Sequence, residues 1–325
     1  MKTILVVGGA GYIGSHMVKT LLRSHYQVVT LDNLSKGYRN AVLGGEFIQA
    51  DLADKVQLEK LFTDYHFDAV MHFASFIEVG ESVYAPGKYY HNNVTCTLNL
   101  LEAMVTHGVL TFIFSSSAAI FGNPHYVPID EKHPKNPLNP YGLSKWMVEQ
   151  ILTDYDRAHG LKSVCLRYFN AAGADPDGQL GERHDPETHL IPLVLHVASG
   201  RRPSITVFGQ DYDTPDGTCL RDYIHVNDLC QVHLLALEHL FRERQTAVYN
   251  LGNGSGFSVR QVIEVAKQVT QKDIPVVMGE RRPGDSACLV ADSQLAKKVL
   301  AWEPQYTDLA TIIAHAWQWE KKQKL

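Results

Sequence analysis

The chain has 325 residues, enough for two domains or for one elaborated α/β domain. Hydrophobic residues make up 45% and charged residues 20% of the chain, which excludes a disordered or fibrous protein. Thirty Lys and Arg against 35 Asp and Glu give a formal net charge of -5, so we expect no nucleic-acid binding through bulk electrostatics.

Cysteine spacing and hydropathy bear on compartment and anchoring. The five cysteines are odd in number and lack Cys-x-x-Cys spacing, which argues against a disulfide framework and against a zinc site. We therefore predict no metal and a cytoplasmic location. The N-terminus lacks a basic region followed by a long apolar stretch, and no segment approaches the ~20 apolar residues of a membrane span. Neither export nor membrane anchoring is predicted.

Short β-branched runs alternate with helical periodicity through the first half of the chain, a pattern typical of βαβ units and a parallel sheet. Strands are predicted over residues 4–7, 27–31, 47–50, 69–73, 110–115 and 163–167. Helices are predicted over residues 13–22, 58–65, 94–107 and 142–158. After residue 170 the chain is rich in Gly, Pro and Asp, which predicts a second region with more loops. Within it, Ser258 and Gln261 predict a capping box at the start of a helix, and residues 309–316 predict a final helix.

A glycine-rich loop follows the first predicted strand. Gly8, Gly11 and Gly14 precede or open the first helix, where missing side chains let backbone amides approach a pyrophosphate. Asp32 ends the second strand and is placed to bind both hydroxyls of an adenosine ribose. An acid there repels a 2′-phosphate, so the loop predicts NAD rather than NADP. Asp51 follows the third strand and either contacts adenine or serves as a turn or helix-cap residue.

Three polar side chains are candidates for chemistry. Tyr141 and Lys145 open a predicted helix at i, i+4 spacing, which places phenol and ammonium on one face, where the cation lowers the pKa of the phenol. Ser117 follows a predicted strand, at the edge where open α/β sheets place ligands. Alone, Tyr-x-x-x-Lys is an ordinary buried helix face, and a serine there satisfies backbone groups. Their order after the glycine loop is what indicates a catalytic site.

Together with further motifs, this set resembles the nucleotide-sugar epimerases and dehydratases of the extended short-chain dehydrogenase/reductase superfamily. The resemblance covers essentially the whole chain. Its further motifs are His72-Phe73-Ala74, Val79-Gly80-Glu81-Ser82, Tyr90-His91-Asn92-Asn93, Phe114-Ser115-Ser116-Ser117-Ala118, Arg167-Tyr168-Phe169-Asn170, Arg221-Asp222-Tyr223-Ile224-His225-Val226, Tyr249-Asn250-Leu251-Gly252 and Arg282-Pro283-Gly284-Asp285.

The resemblance implies an α/β fold, with a Rossmann-type doubly wound parallel sheet and a smaller mixed α/β substrate-binding domain. Residues 1–169 are the expected NAD-binding domain, with a return of the chain around residues 223–252. Residues 170–325 are expected mainly to bind a UDP-sugar. A homodimer is also implied, packed through the helices at residues 94–104 and 142–158, although their apolar stripes equally suit packing against the parent sheet.

The implied activity is 4-epimerisation of a UDP-sugar by hydride transfer to tightly bound NAD, through a 4-keto intermediate. By the resemblance, Tyr141 is the acid/base, Lys145 binds the nicotinamide ribose and lowers the pKa of Tyr141, and Ser117 hydrogen-bonds the sugar O4. The further implied cofactor contacts are Tyr12, Ile13, Asn33, Leu52, Phe73, Ala74, Asn92, Ser115 and Tyr168. The further implied substrate contacts are Asn170, His189, Leu190, Phe208, Arg221, Arg282, Asp285 and Leu289.

Four positions depart from the best-known family pattern. Ile77 stands where a cofactor-contacting Lys is common, and Ala119 where Thr often follows the serines. His189 stands where an Asn contacts substrate, and Leu289 where narrow-specificity members carry Tyr. The Leu extends the expected substrates from UDP-glucose and UDP-galactose to UDP-N-acetylhexosamines, because it removes an aromatic wall beside the C2 substituent.

Two other functions compete with epimerisation. A nucleotide-sugar 4,6-dehydratase is the nearest, but such enzymes typically carry an Asp-Glu pair where this chain has Ala118 and Ala119. A catalytically inactive dinucleotide-binding regulator is the second, and it requires none of Ser117, Tyr141 and Lys145, all of which are present.

Overall fold

The structure, a computed structural model, describes residues 1–282 and 285–323. The chain divides into two compact units. Unit 1 consists of Met1–Gly122, Pro134–Arg167 and Cys230–Tyr249. Unit 2 consists of Asn123–His133, Tyr168–Leu229 and Asn250–Leu325.

The strands and helices alternate through the first half of the chain. The strands are β1 (Thr3–Val7), β2 (Gln27–Asp32), β3 (Glu46–Gln49), β4 (Ala69–His72), β5 (Thr111–Ser117), β6 (Lys162–Tyr168), β7 (Asn170–Ala172), β8 (Ile205–Phe208), β9 (Leu220–His225), β10 (Ala247–Leu251), β11 (Gly256–Ser258), β12 (Val276–Gly279) and β13 (Cys288–Leu289). The helices are α1 (Tyr12–Arg23), α2 (Lys55–Asp64), α3 (Val79–Tyr84), α4 (Pro86–Tyr89), α5 (Cys96–Thr106), α6 (Pro140–His159), α7 (Leu190–Ala198), α8 (Val226–Glu243), α9 (Val259–Thr270), α10 (Gln294–Leu300) and α11 (Leu309–Lys322).

A seven-stranded sheet organises unit 1, in the order β10-β6-β5-β4-β1-β2-β3. The neighbouring strands from β5 to β3 pair in parallel. The central strand β1 buries an uninterrupted apolar run, as expected for a strand covered on both faces. Helices α2, α5 and α6 contribute apolar side chains to one core with this sheet, among them Leu58, Leu100 and Val148. The predicted α/β fold with a Rossmann-type parallel sheet is confirmed.

Several predicted boundaries were wrong by a few residues. β5 continues to Ser117 rather than ending at residue 115, and β3 ends at Gln49 rather than at residue 50. The predicted helix over residues 94–107 begins as a π-helical turn, Tyr90–Thr95, before α5. In that turn the buried amide of Asn93 accepts a hydrogen bond from the backbone N–H of Phe76 at 2.9 Å, a long-range contact that local periodicity does not reveal.

Unit 2 is built on smaller sheets and its own core. Strand β9 pairs with β7 and β13 in parallel and with β11 in antiparallel orientation, and β12 pairs with β8. Helices α7, α9 and α11 pack their apolar faces together in this core. The predicted capping box opens α9, where Ser258 and Gln261 bond reciprocally. None of the helices in residues 1–282 and 285–323 is long and apolar enough to cross a membrane.

A buried ion pair joins three elements of unit 1. Glu149 of α6 accepts hydrogen bonds from Arg167 of β6, with Nε–Oε1 2.9 Å and Nη2–Oε2 2.5 Å. It also accepts one from the Ser116 hydroxyl of β5 at 2.5 Å. Both charged side chains are only 3% exposed. The hydrogen bonds between the guanidinium and the carboxylate must therefore compensate for the free energy that is lost when two charges are removed from water.

We expect Arg167→Met to lower the free energy of unfolding by about 3 to 5 kcal/mol, because it leaves Glu149 as an unpaired buried charge. Urea unfolding followed by circular dichroism measures the change. Arg157→Met is the matched control, since its pair with Asp154 is 78% and 76% exposed and removing such a pair costs at most about 1 kcal/mol. Equal losses in the two variants would contradict the role assigned to the buried pair.

Candidate active site

The glycine-rich loop connects β1 to the N-terminus of α1. Gly8 has φ +80°, and a Cβ there would lie 2.4 Å from the backbone N of Ala74. A Cβ on Gly14 would lie 2.1 Å from the carbonyl oxygen of Gly8, so only glycine lets α1 begin this close to the loop. Gly11 is the N-cap of α1 and has no side chain to cap the helix, so no capping side chain covers the backbone N–H groups of the first turn. Tyr12 and Ile13 form the first turn.

Asp32 ends β2 beside this loop. Its carboxylate accepts hydrogen bonds from the N–H of Ala10 at 2.9 Å and of Leu34 at 2.8 Å. Burial raises the pKa of Asp32, and these two hydrogen bonds partly offset the rise. A carboxylate can accept about four hydrogen bonds, so two ribose hydroxyls can still be bound. The bare helix terminus and this carboxylate fit the pyrophosphate and ribose of NAD.

Two further predicted cofactor residues are hydrogen-bonded to each other. The exposed Asn33 donates its side-chain amide to Asp51 at 2.8 Å. The other oxygen of Asp51 accepts from the N–H of Ala53 at 2.8 Å, which closes a turn, and Leu52 is buried within that turn. Asp51 therefore stabilises a turn, and its contact with adenine stays a prediction.

The remaining predicted cofactor contacts of unit 1 follow β4 or lie in the π-helical turn. The N–H groups of Phe73 and Ala74 both donate to the carbonyl of Val7, at 2.8 and 3.2 Å, which brings them beside the glycine loop. Asn92 donates to the side chain of Asn93 at 2.9 Å. Neighbouring His72 is fully buried, and burial, reinforced by the charge of Lys145, lowers its pKa to about 3.

The three catalytic candidates are held by β5 and α6. Asn139 caps α6 by accepting from the N–H of Gly142 at 2.9 Å, which fixes the helix start at Pro140, one residue before Tyr141. Lys145, one turn later, donates from Nζ to the carbonyl of Ser115 at 2.8 Å. Ser117 ends β5, and its hydroxyl accepts from the N–H of Ala119 at 3.1 Å. One helix turn and one strand end thus provide a phenol, an ammonium and a hydroxyl.

Burial acts in opposite directions on the two titratable groups. It raises the pKa of Tyr141, and a hydrogen bond with Ser117 partly offsets that rise. It lowers the pKa of Lys145 to about 7, against the opposing effect of the Glu149 carboxylate. Both shifts favour neutral groups, as expected for charges removed from water. Burial by itself therefore disfavours both the phenolate of Tyr141 and the ammonium of Lys145.

Unit 2 groups four of the predicted substrate residues. Arg221 donates from Nη1 to the carbonyls of Leu220 at 2.9 Å and Ser286 at 2.7 Å, and its Nη2 lies 3.7 Å from Asp285. Arg282 donates from Nε to the other oxygen of Asp285 at 2.9 Å. The Arg282 guanidinium also lies 4.9 Å from the centre of the Phe208 ring. The Pro283 and Gly284 of this motif lie outside the described residues.

The other predicted substrate residues occupy neighbouring elements of unit 2. Leu289, half-buried in β13, is the register partner of Arg221 in β9. Asn170 donates to the carbonyl of Asp222 at 2.9 Å, two residues after Tyr168 at the end of β6. His189 is the N-cap of α7, and Leu190 is its first residue. The imidazole of His189 lies 2.5 Å from Glu182, a contact that was not predicted.

The sequence did not predict the residues that hold the candidate site residues in position. The Glu149 carboxylate stands one helix turn after Lys145, and its pairing with Arg167 connects residues 18 positions apart. No local pattern reveals that contact. Glu182, His184 and Glu187 were missed as well, and His189 was predicted only as a substrate contact, although Glu-x-His-x-x-Glu-x-His is a visible run of metal-ligand types.

Curated proteins and solved structures are similar to this protein over nearly the full chain. The UDP-glucose 4-epimerase of Halalkalibacterium halodurans is 51% identical over 319 residues, covering 98% of this chain and 96% of that protein. The crystal structure of UDP-glucose 4-epimerase from Brucella ovis in complex with NAD has a TM-score of 0.95 and 48% identity, with 98% of both chains covered. The UDP-Glc/GlcNAc 4-epimerase of Campylobacter jejuni has a TM-score of 0.87 and 43% identity, covering 99% of this chain and 100% of that chain.

The family profile spans the elements that carry the glycine loop, Asp32 and the three catalytic candidates. It matches residues 4–252, which is most of the chain. With that match and relatives near 50% identity over nearly the whole length, the chain belongs to the NAD dependent epimerase/dehydratase family.

Proposed function

We propose that this protein is an NAD-dependent UDP-sugar 4-epimerase that interconverts UDP-glucose and UDP-galactose. The observation that carries the proposal is the arrangement of Ser117, Tyr141 and Lys145 on one strand end and one helix turn. The relatives named UDP-glucose 4-epimerase support it. Ala118 and Ala119, which follow Ser117 in a 3-10 turn, offer no acid or base for a dehydratase.

Each unit has its own task in this proposal. Residues 1–169, with the return at 223–252, hold NAD through the glycine loop and Asp32. Residues 170–325 mainly hold the UDP-sugar, with Arg221 and Arg282 on the diphosphate and Phe208 and Leu190 near the uracil. Guanidinium groups suit this task because their planar donors match phosphate oxygens.

In this proposal the side chains of the protein transfer the proton of the sugar O4 hydroxyl and bind the O4 oxygen. Tyr141 as phenolate removes the O4 proton, and the Ser117 hydroxyl hydrogen-bonds that oxygen. Lys145 stabilises the phenolate and binds the nicotinamide ribose. The chemistry that NAD supplies when bound is reversible hydride exchange with sugar C4. The 4-keto sugar turns about its diphosphate anchor, and Tyr141 returns the proton to O4 as the opposite epimer forms.

We also propose activity on UDP-N-acetylhexosamines. Leu289 is a register partner of the proposed phosphate ligand Arg221, which supports a position near the nucleotide sugar. An acetamido group needs room in both orientations of the sugar, and Leu offers more room than Tyr. The relative from Campylobacter jejuni is named UDP-Glc/GlcNAc 4-epimerase, which supports this extension.

We further propose a homodimer, through α6. The inward side of α6 packs Val148 and Leu152 into the core of unit 1. Its other side presents Leu143, 37% exposed, and Met147, 39% exposed, and Ile151 at the next i+4 position packs partly against the core. An apolar row on the outward side of a helix is typical of a surface that packs against another chain. Helix α5 gives most of its apolar side chains to the core.

The cytoplasm is the compartment that we propose. All five cysteines are free thiols, and four of them are buried. Unpaired cysteines are typical of proteins kept in a reducing environment.

Tyr141→Phe should lower kcat for conversion of UDP-galactose to UDP-glucose, without added cofactor, by about 10²- to 10⁴-fold, the value of general acid-base catalysis. NAD content of the purified protein should stay unchanged, because the ring remains. Tyr84→Phe, at a 90% exposed tyrosine, is the matched control and should keep full activity. Normal turnover by Tyr141→Phe would refute the catalytic assignment.

Lys145→Met should move the acidic limb of the pH profile to higher pH, because removal of the cation raises the pKa of Tyr141.

Leu289→Tyr should lower kcat/KM for UDP-N-acetylglucosamine relative to that for UDP-glucose by about 10-fold or more, because an added aromatic wall excludes the acetamido group. The measurement is kcat/KM for both substrates in wild type and variant. Leu295→Tyr in α10, at a leucine 40% exposed, is the control and should leave the ratio unchanged. An unchanged ratio in Leu289→Tyr would show that this residue does not gate the C2 substituent.

Met147→Glu should convert a dimer of the wild-type protein into monomers, because it places a charge in the proposed apolar contact. Light scattering after size-exclusion chromatography gives the mass directly. Val56→Glu in α2, at a valine 80% exposed, is the control and should remain dimeric. A monomeric wild type, or a Met147→Glu variant that stays dimeric, would rule out this surface.

A further inference from the structure

The segment from Gly173 to His189 connects β7 to α7 and is held in a defined path. Asp175 N–H donates to the carbonyl of Leu180 at 3.0 Å. From α11, Trp319 donates its indole N–H to the carbonyl of Glu182 at 2.9 Å, and Lys322 donates to the carbonyl of Gly178 at 2.6 Å. The backbone that carries the last eight residues of the segment is therefore anchored on the core of unit 2.

Two carboxylates and two imidazoles converge at the end of this segment. One potential ligand atom from each of Glu182, His184, Glu187 and His189 lies within 4.8 Å of every other. His184 Nδ1 lies 3.3 Å from Glu182 Oε1 and 3.7 Å from Glu187 Oε2. His189 Nδ1 lies 3.7 Å from Glu187 Oε1 and 2.5 Å from Glu182 Oε1. Both carboxylate side chains are only 6% exposed.

These separations suit one small cation. Four ligand atoms at about 2.1 Å from a tetrahedral zinc ion are about 3.4 Å from one another. His184 Nδ1 lies at close to that edge length from one oxygen of each carboxylate, 3.3 Å from Glu182 and 3.7 Å from Glu187 Oε2, and His189 Nδ1 lies 3.7 Å from the other Glu187 oxygen. The fourth separation, between His189 and Glu182 at 2.5 Å, must lengthen, which one side-chain rotation of His189 achieves because that side chain is 42% exposed.

The carboxylate of Glu187 is oriented by its own backbone. Its Oε1 accepts hydrogen bonds from the N–H of Thr188 and of His189, both at 2.8 Å. Metal-ligating carboxylates are typically held by such outer hydrogen bonds. Imidazole together with carboxylate is a donor set for Zn²⁺ and similar transition metals, whereas Mg²⁺ and Ca²⁺ select oxygen alone.

We propose that Glu182, His184, Glu187 and His189 form a binding site for one divalent transition metal ion, with Zn²⁺ as the preferred occupant. The ion replaces the protons on the two imidazoles and fixes the segment against the start of α7. The competing arrangement is an ion cluster without metal, in which two imidazolium groups balance two carboxylates. The expectation of no metal rested on cysteine spacing and did not weigh these ligands.

The ion would also act on a predicted substrate position. A metal at Nδ1 of His189 fixes the ring of that residue and leaves its Nε2 available to another group. His189 precedes Leu190, the first residue of α7, and both are implied substrate contacts. The metal site itself does not depend on the proposed epimerase activity.

The test uses the full chain, treated with a chelator and titrated with ZnCl₂ alone by isothermal calorimetry. We expect one saturable zinc site per chain, and a Co²⁺ complex with the visible absorption of four-coordinate geometry. The variant His184→Gln/His189→Gln should bind Zn²⁺ at least about 100-fold more weakly. His66→Gln/His159→Gln, at two exposed histidines of unit 1, is the matched control and should retain the site.

Two results would overturn the proposal. One is a wild-type titration without a saturable site, which favours the ion cluster without metal. The other is equal zinc binding by the cluster variant and the control, which indicates adventitious binding to surface histidines. Circular dichroism checks that the variants are folded, and Glu182→Gln provides a second, milder ligand substitution in which the affinity must also fall. Because the readout is metal binding, a failure here is distinct from a failure of the epimerase assay.

Discussion

The buried carboxylate of Glu149 is the constraint on which the active-site region of unit 1 depends. It receives Arg167 from β6 and Ser116 from β5 while standing on α6, so three elements meet at one charge. The same carboxylate opposes the loss of charge at Lys145, one helix turn earlier. A single acid therefore fixes the helix that carries Tyr141 and Lys145, and also contributes to their electrostatics. Burial without such partners would cost several kcal/mol.

In the proposed mechanism Tyr141 must serve as a base although its environment opposes the phenolate. Burial raises the pKa of Tyr141 and lowers that of Lys145 to about 7. When two titratable groups interact strongly, the pair and not either residue sets the apparent pKa. The proton leaves Tyr141 most easily while Lys145 is charged, since the ammonium then balances the phenolate. Ser117 forms a hydrogen bond with the phenol of Tyr141, and the carbonyl of Ser115 accepts one from Lys145.

The sequence predicted most of what is local and little of what is long-range. The glycine loop, Asp32 at the end of β2 and the capping box at Ser258 depend on neighbouring residues, and the structure has each at its predicted position. The π-helical turn at Asn93 was not predictable, because it depends on a hydrogen bond to Phe76. The periodicity of the first half indicated the parallel sheet, and the glycine loop with Asp32 indicated NAD, whereas the family followed from the resemblance.

Two arginines of unit 2 that are predicted to bind substrate already form contacts within the protein. Two backbone carbonyls orient Arg221 through Nη1, and its Nη2 faces Asp285 at the long distance of 3.7 Å. Asp285 is bonded more closely to Arg282, whose guanidinium in turn covers the face of Phe208. An acidic side chain thus occupies the position of an anion between two cations and keeps both oriented. A diphosphate carries more charge than one carboxylate, so in the proposed function it can replace Asp285 as the partner of both arginines.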